Sequence, residues 1–63
     1  MMSCNQYRDA ISRLGLSQGA AADFLGVSIR TSWGYANGKP IPLGYAKLLR
    51  LMIERGIQPA DVH

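Results

Sequence analysis

Apolar residues recur along this chain with the period of an α-helix, in four blocks, each closed by a glycine. In the first block Tyr7, Ala10, Ile11 and Leu14 stand at i, i+3, i+4 and i+7 and so share one face. The pattern predicts a helix over residues 5–14, with Asn5 as N-cap and Gly15 as the stop. The second block places Gln18, Ala21, Ala22 and Leu25 at the same spacing, with Phe24 beside them. Ser17 ahead of it is a strong N-cap, and Gly26 behind it suits a left-handed residue. Ala21 and Ala22 are small, which lets a second helix cross closely.

A third helix is expected from Ile29 through Asn37, capped by Ser28 and closed by Gly38. Two short helices are then joined by the three residues Gly26, Val27 and Ser28. That is the layout of a helix-turn-helix, in which the glycine sets the crossing and the valine fills the space between the helices. Lys39-Pro40-Ile41-Pro42 is a break, because neither proline belongs inside a helix. Pro42 can serve as the first residue of a fourth helix, followed by Leu43 through Arg55 and stopped by Gly56.

On a helical wheel of that fourth helix, Tyr45, Ala46, Leu48, Leu49, Met52 and Ile53 share one arc, and Lys47, Arg50 and Glu54 lie opposite. Leu43 and Leu51 fall on the polar side. They are either scattered exposed leucines, which are common, or a contact with a second subunit. Residues 57–63 read as a tail with a turn at Pro59-Ala60-Asp61, and residues 1–4 as an N-terminal tail. The expected architecture is all-α: one compact bundle of four main helices over residues 5–56.

Composition narrows what such a bundle can be. A chain of 63 residues holds one domain at most and buries only about 60% of its unfolded surface. Cys4 is its single cysteine, so no internal disulfide forms; Cys4 and His63 together cannot make a four-ligand zinc site. No metal, cofactor or small-molecule ligand is expected. Asp9, Asp23, Glu54, Asp61, Cys4 and His63 are scattered along the chain and do not suggest convergent catalytic groups, so an enzyme is not expected.

The net charge of +3 is compatible with a polyanionic partner and equally with ordinary solubility. No stretch resembles a targeting signal or approaches the roughly 20 apolar residues of a membrane span. With a free cysteine, this points to a reducing, cytoplasmic location and no membrane partner.

Leu14-Gly15-Leu16-Ser17-Gln18, Ala22-Asp23-Phe24-Leu25-Gly26-Val27-Ser28, Arg30-Thr31, Asn37-Gly38-Lys39 and Ile41-Pro42 occur in one register. In this the chain resembles the lambda-repressor-like (Cro/Xre-type) helix-turn-helix DNA-binding domains, over roughly residues 5–56. The resemblance implies a third helix in the major groove, with the N-termini of helices two and three facing phosphates. Carried over, Ser28, Ile29, Arg30 and Trp33 would face the bases. Ser17, Gln18, Asn37 and Lys39 would contact phosphate. Chemistry agrees for several of them: Arg30 offers a forked donor for guanine, Ile29 an apolar partner for a thymine methyl, and Lys39 a positive charge. Each also has a plainer role available, since Gln18 can be a solvated helix start, Arg30 a surface charge and Asn37 a helix cap.

The sequence departs from the family where it carries Ser32 at an inward position usually held by Val or Ile. A serine there buries less apolar surface and needs a hydrogen-bond partner. Tyr35 stands where a Trp is frequent, and Trp33 occupies a place expected to be exposed. Either Trp33 turns inward, with the register adjusted around Ser32, or it projects toward DNA. Gly34, in mid-helix, marks either a close backbone approach or an unoptimised position.

The expected function is sequence-specific binding of double-stranded DNA by a transcriptional regulator. A homodimeric repressor on a palindromic operator is the natural form, in the manner of small phage or prokaryotic regulators. The competing reading is a helical protein-interaction module of the same fold, dependent on Trp33, Tyr35, Leu43 and Leu51.

Overall fold

Ser3, and not Asn5, opens the first helix. Its hydroxyl oxygen accepts from the Gln6 amide at 3.2 Å, and its own amide donates to Gln6 Oε1 at 2.8 Å. This reciprocal capping box satisfies two end donors at once, where Asn5 alone would have satisfied one, so the helix starts earlier than expected. The computed structural model describes residues 2–61, so His63 lies outside the described residues. Within them the chain forms α1 (Cys4–Arg13), α2 (Gln18–Leu25), α3 (Ile29–Ala36) and α4 (Leu43–Arg55), then a single 3₁₀ turn at Pro59–Asp61. No strand occurs among the described residues, and none of the helices is long and apolar enough to cross a membrane.

Three of the helices end in the same way. After α1, α2 and α4 the chain passes through Gly15, Gly26 and Gly56, and the next amide reaches back five residues. Leu16 N donates to Ile11 O at 2.8 Å, Val27 N to Ala22 O at 3.0 Å, and Ile57 N to Met52 O at 2.8 Å. In each case the residue after the glycine is apolar and packs, partly buried, against the core. This double closure satisfies end carbonyls and folds the chain back onto its own helix. At Gly26 the conformation is left-handed, φ 73° and ψ 29°, and it aims the three-residue connection into α3. Val27, which follows it, packs partly buried against the core.

The fourth helix begins one residue later than expected. Pro42 has an extended ψ of 138° and stands at the N-cap position, where its carbonyl accepts from Ala46 N at 3.1 Å. Similarly, α3 stops at Ala36, with Asn37 as its cap.

The core gathers Tyr7, Ala10 and Ile11 from α1, with Leu14 at its C-cap; Ala21 and Leu25 from α2; Tyr35 and Ala36 from α3; Ala46, Leu49 and Met52 from α4. Ile41 joins them from the connection before α4. α2 packs chiefly on α3, and α1 packs on both α3 and α4. Both assumed tails are corrected in part. Met2 is buried in the core and Cys4 belongs to α1, while Ile57 packs against the core at the other end. Apolar side chains next to the helix ends are drawn in because the small bundle has little else with which to cover its ends.

Candidate nucleic-acid interface

The register of α3 follows from which of its residues the core accepts. Ser32, Tyr35 and Ala36 point inward, and Ser32 has no exposed surface at all. The adjacent residue lies 100° further round the helix. Trp33 is therefore turned outward, 54% exposed, which excludes the inward orientation considered for it. Ile29, one turn earlier on the same face, is 55% exposed, and Arg30 beside it is exposed too.

Ser28 begins the helix. Its hydroxyl accepts from Thr31 N at 3.1 Å and lies 2.9 Å from Thr31 Oγ1. Both small hydroxyl side chains of the first turn are thus engaged with each other. Of the residues expected to face bases, Arg30 carries the hydrogen-bond donors not engaged in this way, together with the indole N–H of Trp33.

The start of α2 lies beside this face. A Cβ built on Gly19 would stand 3.8 Å from Ile29 Cδ1, so the first turn of α2 abuts the first turn of α3. Gln18, half-buried, reaches α3 directly: Ser32 Oγ donates to Gln18 Oε1 at 2.8 Å. Ser32 also lies 2.7 Å from the Tyr7 hydroxyl. Because the single Ser32 hydroxyl hydrogen goes to Gln18, the Tyr7 hydroxyl is the donor to Ser32. The buried serine therefore has the partners its position demands. Ser17 accepts from Ala20 N at 3.1 Å and caps α2.

At the other end of α3 the backbone carbonyls are served from two sides. Asn37 Nδ2 donates to Trp33 O at 2.6 Å, so Asn37 performs the capping role considered for it and retains a second amide hydrogen. Arg8, from α1, donates through Nε to Ala36 O at 2.7 Å and through Nη2 to Asn37 Oδ1 at 3.5 Å. Sequence reasoning missed Arg8. The signal was that α3 has no basic residue in its own last turn, so its negative end needs a cation from elsewhere.

Gly34 also finds its explanation here. Lys39 N donates to Gly34 O at 2.9 Å, and a Cβ on Gly34 would stand 2.9 Å from Lys39 Cδ. The gap left by the missing side chain is occupied by the methylene stem of Lys39, which lies across the helix.

Leu43 and Leu51 are elsewhere, on α4. Both are exposed, 63% and 42%, and neither belongs to the cluster formed by α3 and the start of α2. Leu43 borders a shallow recess whose other walls are Met2, Ile41 and Ala46.

No family model, curated protein or solved structure matches this chain. The resemblance seen over residues 5–56 thus rests on the residue pattern itself.

In chemical terms, the cluster offers two apolar side chains, Ile29 and Trp33, and one cationic side chain, Arg30, along one short helix, with the start of α2 beside them. Among the described residues no group of three metal-ligating side chains comes together. Asp9 is paired with Arg13 at 2.7 Å on the outside of α1.

Proposed function

We propose that this chain is a helix-turn-helix regulator of the lambda-repressor-like type that binds double-stranded DNA in a sequence-specific way. One observation carries the reading. Ile29, Arg30 and Trp33 stand exposed in line on α3, with the start of α2 and Gln18 packed against the same helix. In the proposed complex α3 enters the major groove. Arg30 reads a guanine edge, Ile29 and Trp33 meet apolar base surface, and Ser28 stands at the helix start. Ser17, Gln18, Asn37 and Lys39 contact backbone phosphates.

One copy reads few base pairs, so the proposal includes a homodimer on a palindrome, its half-sites about one helical turn apart. α4 and the residues after it form the seam, with Leu43 and Leu51 as contacts. Occupation of such an operator blocks transcription, which makes repression the direct consequence. Sedimentation that finds one copy per duplex removes the dimer and leaves the DNA reading intact.

Selection from random duplex DNA at near-physiological salt tests the reading. An enriched inverted repeat is the expected result. Weak binding without enrichment that vanishes as salt rises means phosphate attraction alone and overturns it.

The exposed Trp33 and Ile29, on a helix whose charged side chain is Arg30 alone, favour a second reading as a protein-interaction module. Arg30→Ala separates the two, because it cuts specific DNA binding sharply and leaves an apolar protein contact largely intact.

A further inference from the structure

We propose that Ser32 is a positioning residue that orients Gln18 as a hydrogen-bond donor to a DNA phosphate. The proposal rests on the DNA-binding reading above and goes beyond it by assigning a role to a residue with no exposed surface. The chain of bonds begins at Tyr7, which is fully buried in the core, continues through Ser32, also fully buried, and ends at Gln18.

The polarity of this chain determines what reaches the surface. Tyr7 donates to Ser32, and Ser32 donates to Gln18 Oε1, so the carbonyl end of the Gln18 amide is held inward. Gln18 Nε2 makes no hydrogen bond among the described residues, and no buried side-chain nitrogen or oxygen among them lacks a partner. The Nε2 group is therefore not fully buried, and its hydrogens are engaged by no other described residue. A phosphate offers acceptors alone, so it binds Gln18 only in this orientation. The flipped amide would present carbonyl lone pairs to the phosphate oxygens and repel them.

A free glutamine spends much of its time in rotamers and flips that bind nothing, and fixing it in the donating state lowers the ordering penalty on binding. An inward Val or Ile in place of Ser32 would pack well and leave Gln18 untethered. The serine thus exchanges apolar burial for control of one polar group at the start of α2.

The test is a titration of the chain with the selected duplex across a salt series, read by fluorescence anisotropy. Glutamine carries no charge, so its phosphate contact releases no counterion, and losing it weakens binding at every salt concentration without changing the slope of log affinity against log salt. Gln18→Ala and Ser32→Ala are each expected to weaken binding by about tenfold at constant slope, and the double variant to weaken it no further. Tyr7→Phe, which also removes a buried hydroxyl but leaves the Ser32–Gln18 bond, is expected to lose stability and keep the affinity. A Ser32→Ala affinity equal to that of the unaltered chain, or a double variant in which the two losses add, overturns the proposal, whereas failure of the unaltered chain to bind any duplex specifically overturns the DNA reading beneath it. Should Ser32→Ala not fold, nuclear magnetic relaxation of the unaltered chain decides. A Gln18 side-chain amide as rigid as the backbone, shifting on addition of duplex, supports the proposal. One as mobile as that of exposed Gln58 overturns it.

Discussion

Ser32 and Trp33 are neighbours with opposite surroundings, one with no exposed surface and the other more than half exposed. Trp33 is the single tryptophan of the chain and therefore a direct reporter. Its fluorescence is expected to be that of a water-exposed indole, quenched readily by acrylamide, and to change when the selected duplex is added. A blue, quencher-protected emission from the free protein would contradict the outward orientation. Ile29 offers no hydrogen bond, so any contribution to base recognition comes from covering a thymine methyl. Exchanging thymine for uracil in the half-site is expected to weaken binding by about 0.8 kcal/mol, or roughly fourfold, per covered methyl. Ile29→Ala should abolish that sensitivity, and equal affinities for both duplexes with the unaltered chain would remove Ile29 from the reading face.

The glycine closures make the helices of this protein sharply bounded units. At Gly26 the φ of 73° lies in the region that L-residues disfavour, and nothing crowds the position. Gly26→Ala is therefore expected to destabilise through backbone strain, by about 1–2 kcal/mol, with its midpoint in urea lowered and no change in helix content before unfolding. Gly34 gives the opposite balance. An alanine there gains about 1 kcal/mol of helix propensity, but its Cβ falls 2.9 Å from the flexible Lys39 stem, which must shift. The expected result is little net change in stability, because a lysine stem moves cheaply, combined with weaker DNA binding as the Lys39 charge is displaced. A clear loss of stability would show that the Lys39 stem is pinned.

At the scale of the molecule, α1, α3 and α4 meet at three tyrosines. The Tyr7 and Tyr35 rings are 5.7 Å apart at 75°, and the Tyr35 and Tyr45 rings 6.3 Å apart at 60°. Edge-to-face packing of this kind adds to the area each ring buries. Burial raises the Tyr35 hydroxyl above the usual tyrosine value of 10.0, and the neighbouring Tyr45 and Tyr7 raise it further. The folded state then holds the proton more tightly than the unfolded one. This contribution is fully present below pH 10 and is lost as pH rises through the higher folded value. Urea midpoints are expected to fall in that alkaline range, and Tyr35→Phe to fall less steeply; parallel pH profiles would refute the assignment. Leu49 lies at the centre of the bundle with no exposed surface, so Leu49→Ala should cost about 2–5 kcal/mol. In a domain without a disulfide that is a large share of the total stability.

The four helices, and the core faces of α1, α2 and α4, were legible because periodicity, capping and glycine stops act over a few residues, within the reach of a sequence pattern. Even the true start of α1 is written there, as Ser3 and Gln6 three residues apart. The outward placing of Ile29 and Arg30 came with the family resemblance, not with periodicity. What could not be read locally was whether a serine was tolerable inside α3. That depended on Tyr7, 25 residues away, and Gln18, 14 residues away, meeting it in space. Until those partners were in place, the orientation of Trp33 stayed open too. The same holds for Arg8 at the end of α3, 28 residues from the carbonyl it serves, and for the Lys39 stem that fills the gap at Gly34. Local rules set where helices begin and end, since their energetics lie within one turn of backbone; the partners of buried polar groups are set by how the helices cross.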